Sequence, residues 1–371
     1  KNIPLNFTTL NVRGLRSRAR QVQLCRLLQR ERLDIVAIQE TKIESEEEAT
    51  TSALEPFLHR YEVCVSHAVG LSAGCFLFLR KDLNYTSLSS TVDTEGRFIC
   101  CDIYLEGIQW RLICVYAYND CSSRLSFFQN LDAFLDTDKC IVRFGGFNCV
   151  CEAHDRSTIS LRRDNSSIAL ENLVRQHCPS DVGASRTSIN RFTHLQSSGH
   201  ARLDRIYVSS CLLEHTFEYL VTPVSFSDHC VETVRLGEKR KQIFRPKWAL
   251  WKLNNNLLKN NDFNERLITC FMAIRSNTDL SIFAQWDSFK QETKNIAIEC
   301  ACVQKYHEKA DRRALTHSLH ELYEMKCEKP GNFHEEICFL KSELQRHELH
   351  ALPRSRRVIK MSTPCIGRTT Y

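Results

Sequence analysis

The chain has 371 residues, 43% of them hydrophobic and 25% charged, with a formal net charge of +6. That is ordinary globular composition, with length for two domains. No apolar run is long enough to span a membrane, and the start, KNIPLNFTTLNV, lacks the apolar stretch of a secretory signal. The 19 cysteines include no Cys-x-x-Cys pair, which argues against a zinc module and for reduced thiols used as small buried hydrophobes.

Leu5 to Val12 reads as a strand. Gln21 to Arg32, with Val22, Leu24, Cys25, Leu27 and Leu28 on one face, reads as a helix. Ile35 to Ile38, Cys75 to Leu79, Phe98 to Leu105 and Trp110 to Tyr118 read as further strands, followed by a helix near Leu125 to Leu135. Cys140 to Phe144 is a short apolar run stopped by Gly145-Gly146, and Leu203 to Val208 and Val231 to Leu236 complete the strands. Short strands with a few helices between them predict two packed sheets with helices outside.

A change of character follows. Up to Leu236 the chain carries 26 Lys and Arg against 28 Asp and Glu; from Gly237 it carries 24 against 16. The basic excess therefore lies wholly in the tail. There Trp248, Trp251, Leu257, Phe263, Leu267, Phe271, Trp286, Phe289, Ile296, Leu319, Ile337 and Leu344 recur at helical spacing. The reading is a sheet domain over residues 1–236 and a basic helical region over 237–371. The charge fits either a polyanion or a solvated helical surface.

Polar residues collect at the strand ends. LNVRGL supplies Asn11, VAIQETK Glu40, VYAYN Tyr116 and Asn119, GGFN Asn148, RLDRIYV Asp204, and FSDHCV Asp228 with His229. Singly, each is ordinary for a turn or a surface. Together, converging on one rim of a sandwich, they suit phosphodiester hydrolysis. A carboxylate such as Glu40 can hold Mg²⁺, a hard cation that wants few protein oxygens. An Asp-His pair orients an imidazole toward a phosphate. Asn and Tyr supply neutral donors to charge developing on phosphorus.

In this order, LNVRGL, QETK, VYAYN, GGFN, RLDRIYVS and SDH resemble the endonuclease/exonuclease/phosphatase superfamily. More narrowly, they are similar to the apurinic-type endonuclease domain of non-LTR (LINE-like) retrotransposon proteins. GRFICCDI, around Arg97, and FTHLQSSGHARLDRIY resemble further stretches of that branch. The resemblance runs from about Leu5 to Leu236 and implies a four-layer α/β sandwich, two mixed β-sheets flanked by helices, acting on DNA. It implies Glu40 as metal ligand, with Asp228 supporting either that metal site or the histidine, Mg²⁺ as the cofactor and Mn²⁺ as a substitute. It places Asn11 beside that metal, Tyr116 near the scissile phosphate, Arg97 and Asn119 near the substrate, and Asn148 beside the attacking water or the phosphate. It has Asp204 orient His229, and His229 contact the phosphate.

Four departures from the family pattern stand out. Gly146 occupies the place of the Asp in Gly-Asp-Phe-Asn, the residue thought to activate the attacking water. Tyr118 replaces a proline, which implies a looser turn for Tyr116 and Asn119. Arg13 sits where repair nucleases carry an acid, and Ala201 replaces a usual Ser. The tail resembles the helical linker that precedes a reverse transcriptase. Among such proteins, the missing initiator Met and the lack of polymerase motifs before Tyr371 imply a truncated, decayed copy.

The leading expectation is an Mg²⁺-dependent, target-nicking DNA endonuclease impaired at Gly146. The alternatives are a catalytically dead nucleic-acid-binding remnant, a phosphatase or sphingomyelinase of the same superfamily, and, most remote, a structural protein. RNA is a further expected partner through the basic tail. Localisation follows from the substrate, as nuclear with a cytoplasmic ribonucleoprotein stage; RSRRVIK, from Arg354, is short for a nuclear signal.

Overall fold

Alternation along the strands decides which side chains meet. In a computed structural model, which describes residues 4–45, 54–70, 72–157, 164–177, 179–185, 192–196, 199–237, 253–277, 279–328 and 333–350, two six-stranded sheets pack face to face. The strands are β1 (Leu5–Asn11), β2 (Ile35–Gln39), β3 (Tyr61–Ser66), β4 (Cys75–Arg80), β5 (Thr86–Val92), β6 (Phe98–Leu105), β7 (Ile108–Tyr116) and β8 (Cys140–Gly146). They continue with β9 (Pro179–Asp181), β10 (His194–Gln196), β11 (Gly199–Ala201), β12 (Asp204–Ser209), β13 (Thr216–Pro223) and β14 (Cys230–Leu236). The first sheet runs β13-β14-β1-β2-β4-β3 and the second β5-β6-β7-β8-β12-β9, with β10-β11 a separate hairpin. Each sheet is mixed: β1-β2 and β7-β8 are parallel, and the other pairs are antiparallel.

Period-2 alternation sorts the apolar residues into layers. Phe7, Ile35, Ala37 and Leu77 of one sheet meet Ile99, Leu112, Cys114, Phe144 and Ile206 of the other. The opposite faces are covered by helices. Helix α1 (Arg18–Glu31) buries Leu24, Leu27 and Leu28 against Val36, Ile38, Phe76 and Phe78. Helices α2 (Cys121–Leu131) and α3 (Asn165–His177) bury Phe128, Leu131, Leu170 and Leu173 against Ile113, Val115 and Phe147. This is the four-layer sandwich expected, and burying one Leu or Phe in it is worth about 1.5–3 kcal/mol.

Leu236 ends the last strand. Beyond it lie helices α4 (Asn261–Arg275), α5 (Ile282–Glu328) and α6 (His334–His350). Phe263, Ile296, Leu319, Ile337 and Leu344 are buried as the spacing predicts, but Phe271 and Trp286 are 42% and 57% exposed. Trp286 packs on Phe289, ring centroids 6.1 Å apart, rather than in a core. Trp248, Trp251 and the basic run at Arg354 lie outside the described residues. Among the described residues no helix is long and apolar enough to cross a membrane.

Candidate active site

The face of β1 that carries Phe7 also carries Asn11, and the same alternation points Tyr116 on β7, Gly146 on β8 and Asp204 on β12 between the sheets. Strand pairing then gathers their ends. Gly146 lies opposite Asp204 across β8-β12 and beside Tyr116 across β7-β8. Because β1 runs parallel to β2 and antiparallel to β14, Asn11, Glu40 and the pair Asp228-His229 reach the same rim.

At the centre, His229 Nδ1 lies 2.7 Å from Asp204 Oδ2, both groups buried. Thr193 fixes the acid: its Oγ1 accepts from the backbone N–H groups of Asp204 at 2.9 Å and Leu203 at 3.0 Å. Ser227 fixes the histidine, accepting from the His229 N–H at 3.1 Å while donating to the Asn11 carbonyl at 2.7 Å. Burial pulls the His229 imidazole toward its neutral form. The Asp204 charge and hydrogen bond, with Asp228 and Glu40 adding, outweigh burial and carry its pKa above the ordinary histidine value. Asp228 goes the other way. Burial raises it, but the hydrogen bond from His194 and the charges of His229 and Arg13 hold it well below the usual carboxylate range. The Tyr116 hydroxyl is pushed up by burial and by the Glu40 carboxylate it hydrogen-bonds.

Three of these residues sit in the left-handed backbone region, Arg13 at φ 50°, Glu40 at φ 57° and Asn148 at φ 52°. Such strain in non-glycine residues concentrates at functional sites. Asn148 is anchored by its Nδ2, which donates to the Ala117 carbonyl at 2.7 Å.

Gly145 and Gly146 are unequal. Gly145 has φ 146°, and a Cβ there would lie 1.9 Å from the Val115 carbonyl oxygen, so only glycine fits. Gly146 has no such constraint. A Cβ on it would meet Asp204 Oδ1 at 3.4 Å, Tyr116 Cδ2 at 3.5 Å and Asn148 Oδ1 at 3.8 Å, ordinary contacts that aim a side chain into the cluster.

The carboxylates of Glu40 and Asp228 are the hard donors at this rim, and Asp228 Oδ1 is buried with no hydrogen-bond partner. An unsatisfied anionic oxygen, with a second carboxylate on the other side of the same guanidinium, fits a divalent cation chemically. A cation of the chain's own is already there. The Arg13 guanidinium binds Asp228 through Nη1 and approaches Glu40 Oε2 at 3.9 Å. Asn11 Oδ1 accepts from the Arg13 N–H at 3.0 Å and so helps aim it. His194, which sequence reasoning left out of the site, is also present. Its Nε2 is 3.5 Å from Asp228 Oδ2 and its ring lies 4.5 Å from that of His229, so His194, Asp228 and His229 bring three ligand atoms within 4.8 Å. Its place, one residue after Thr193 in the FTHL stretch, was the available signal.

The residues expected at the substrate edge fare differently. Arg97 stacks on Tyr118, 4.0 Å from the ring centroid, and donates to the Tyr116 carbonyl at 3.3 Å. Asn119 is exposed, and its bond to the fold is through its carbonyl, which accepts from Arg124 at 2.7 Å. The same guanidinium reaches the Tyr118 carbonyl at 2.9 Å. Arg97 and Arg124 thus brace the turn that lacks its proline, so it is not the loosened turn expected from that substitution.

Residues 8–229 match the family model described as Endonuclease/Exonuclease/phosphatase family. The chain is 28% identical over 305 residues to the 149 kDa protein of transposon TX1 from Xenopus laevis; the match takes in 80% of this chain and 23% of that protein, so the chain spans under a quarter of that relative. Among solved structures it is similar to the AP endonuclease LMAP from Leishmania major, with a TM-score of 0.54 at 17% identity, over 64% of this chain and 88% of that one. An AP endonuclease from Archaeoglobus fulgidus gives 0.53 at 18% identity, over 62% and 99%. These two likenesses extend the fold assignment. The family match covers more than half of the chain and ends on the histidine at the centre of the cluster, and the protein is a member of the endonuclease/exonuclease/phosphatase family.

Proposed function

We propose that this chain is the DNA-nicking endonuclease of a non-LTR retrotransposon, with its hydrolytic step impaired because Gly146 carries no carboxylate. The observation that carries the reading is the buried Asp204–His229 pair at 2.7 Å, ringed by Asn11, Glu40, Tyr116, Asn148 and Asp228. His229, whose cationic form Asp204 favours, faces the phosphate. Asn148 and the Tyr116 hydroxyl donate to its oxygens as charge develops. Arg97, presented on Tyr118, meets the DNA backbone.

Members of this family work with divalent metal ions, and Mg²⁺ suits the oxygens of Glu40 and Asp228. Bound there, it would supply Lewis-acid polarisation of the phosphoryl group. Asn11 orders this end of the site through its contacts with Arg13 and Ser227. What the residues lack is a base for the attacking water. A general base contributes about 10²–10⁴-fold, so its loss costs roughly 3–5 kcal/mol of barrier.

A second reading, a nucleic-acid-binding remnant, draws on the same vacancy of function at Gly146 together with the basic excess after Gly237. On this reading the helical region, 237–371, adds phosphate contacts to DNA or RNA. Either reading gives a nuclear site of action, with a cytoplasmic ribonucleoprotein stage.

The test is relaxation of supercoiled plasmid in Mg²⁺ by the full chain and by Glu40→Ala. Slow nicking that disappears with Glu40→Ala supports the enzyme. Salt-sensitive DNA binding with equal, background nicking by both supports the remnant.

A further inference from the structure

The helices after Leu236 do not stand clear of the sandwich. Lys341 on α6 reaches the loop that carries Asp228 and His229, and Tyr323 on α5 sits between Lys341 and His200 beside it. Lys341 Nζ donates to the Ser227 carbonyl at 3.3 Å and lies 5.9 Å from the centre of the Tyr323 ring. That ring meets His200 of β11 edge-on at 5.5 Å. Leu195, next to His194 on β10, packs into the apolar cluster of Leu319, Tyr323, Ile337 and Leu344.

A second set of contacts pins the same loop from its other end. Glu348 accepts from Ser225 Oγ at 2.8 Å and pairs with Arg30 of α1 at 3.5 Å, while Arg312 of α5 pairs with Glu31 of α1 at 3.5 Å. Gln23 of α1 closes the ring by donating to Ser225 Oγ at 3.2 Å.

We propose that α5 and α6 form an intramolecular clamp on the loop from Val224 to His229, and that Lys341 is a positioning residue for Asp228 and His229. The loop's backbone is tied to β10 and to the residue before it by the bonds from the Leu195 N–H to the Asp228 carbonyl at 2.8 Å and from the Cys230 N–H to the Thr193 carbonyl at 2.7 Å. Those bonds place His229 over Asp204, but the outer side of the hairpin is open to solvent unless something covers it. The Leu319–Leu344 cluster packs on Leu195, whose N–H bonds the Asp228 carbonyl, and so backs the loop from that side. Lys341 adds a charge-assisted bond to the loop carbonyl two residues before His229. Burial pulls the Lys341 ammonium toward its neutral form and the nearby Asp228 carboxylate opposes that, which is the electrostatic signature of a cation held against this loop rather than in water.

The sandwich and the helices are thus one functional unit, not a catalytic domain followed by a spacer. The match to the transposon TX1 protein, 305 residues long, likewise runs past Leu236 into the helices. The clamp stands apart from whether the chain nicks DNA, because its readout is backbone protection.

The experiment is amide hydrogen exchange on the full chain. Lys341→Met keeps the length and apolar stem but removes the donor. It is expected to speed exchange about tenfold at Leu195, His229 and Cys230, the scale of one charge-assisted hydrogen bond, with β6 and β7 unchanged. Lys341→Arg restores protection, since a guanidinium can donate to the same carbonyl. Tyr323→Leu, which keeps apolar bulk, loosens the same three amides and serves if the Met variant folds poorly. Wild-type protection at those amides in both Lys341→Met and Tyr323→Leu would overturn the clamp. So would uniform loosening of the whole molecule, which marks a generic loss of stability.

Discussion

Replacing Arg13 by Asn removes the cation that stands between Glu40 and Asp228. Two unit charges about 4 Å apart attract by roughly 4 kcal/mol at an effective dielectric constant near 20. The Arg13 side chain is 42% exposed, so water screens most of that, and about 1 kcal/mol per pair remains. Arg13 engages both carboxylates, one directly and one at 3.9 Å. A divalent ion entering the site must displace roughly 1–2 kcal/mol of guanidinium pairing, a factor of about 5–30 in affinity. Arg13→Asn should therefore bind Mn²⁺ about 5–30-fold more tightly than the unaltered chain, as followed by electron paramagnetic resonance of the free ion near neutral pH. Glu40→Gln in the same background should remove the gain. Unchanged or weaker Mn²⁺ binding in Arg13→Asn would refute the reasoning and leave Arg13 as a surface contact.

Asp204→Asn should lower the His229 titration, followed by NMR of the imidazole, because burial is then opposed only by the more weakly acting Asp228 and Glu40; an unmoved titration contradicts the pair. Glu232, fully buried on β14, is pushed up to about 7 by burial against the pull of Arg202 and its hydrogen bond with Tyr219. Its folded pKa exceeds the unfolded value, so it contributes stability below about pH 4.5 that is lost as pH rises toward 7, a few kcal/mol in all. Glu232→Gln should flatten the fall in unfolding free energy across that window, and a denaturation series showing the same slope in both proteins would count against it. Lys341→Met should loosen the Asp228–His229 loop without lowering Mn²⁺ affinity by the amount Glu40→Gln does, since it offers no ligand.

The strand ends were legible because apolar runs stop where they leave the core, and at one rim those stops and starts coincide with polar site residues. β6 runs over the residues read for it, and β1, β2, β7, β12 and β14 fall within two residues at each end. What was missed has physical causes. β5, TSLSSTV, is exposed along its whole length, so it lacks the apolar signal on which strand reading rests. β3 and β13 are edge strands whose burial does not alternate cleanly, and charged members such as Glu62 and Glu218 interrupt their apolar residues. Helix α3 buries only Leu170 and Leu173 of its large apolar residues, with Ala169 and Val174 half-buried and Ile168 exposed, so its apolar face is thin. The tail's aromatic spacing was legible as helix but not as burial. Phe271 and Trp286 repeat at helical intervals yet face outward, because periodicity gives a face and not what covers it. His194 escaped because it opens β10, a three-residue strand with no apolar run to mark it; beyond its place in FTHL, the bridge that sets it against His229 is what reveals it.

On the proposed function, one absent carboxylate impairs an otherwise assembled site. Gly146 has ordinary backbone and open space toward Asp204, Tyr116 and Asn148, so Gly146→Asp should fold without rearrangement. The decisive measurement is the first-order rate of plasmid nicking in Mg²⁺ for the unaltered chain and for Gly146→Asp, each with and without Glu40→Ala. The account predicts a rise of about 10²–10⁴-fold with Asp at 146, abolished by Glu40→Ala. Equal rates with Gly and with Asp at that position would contradict it.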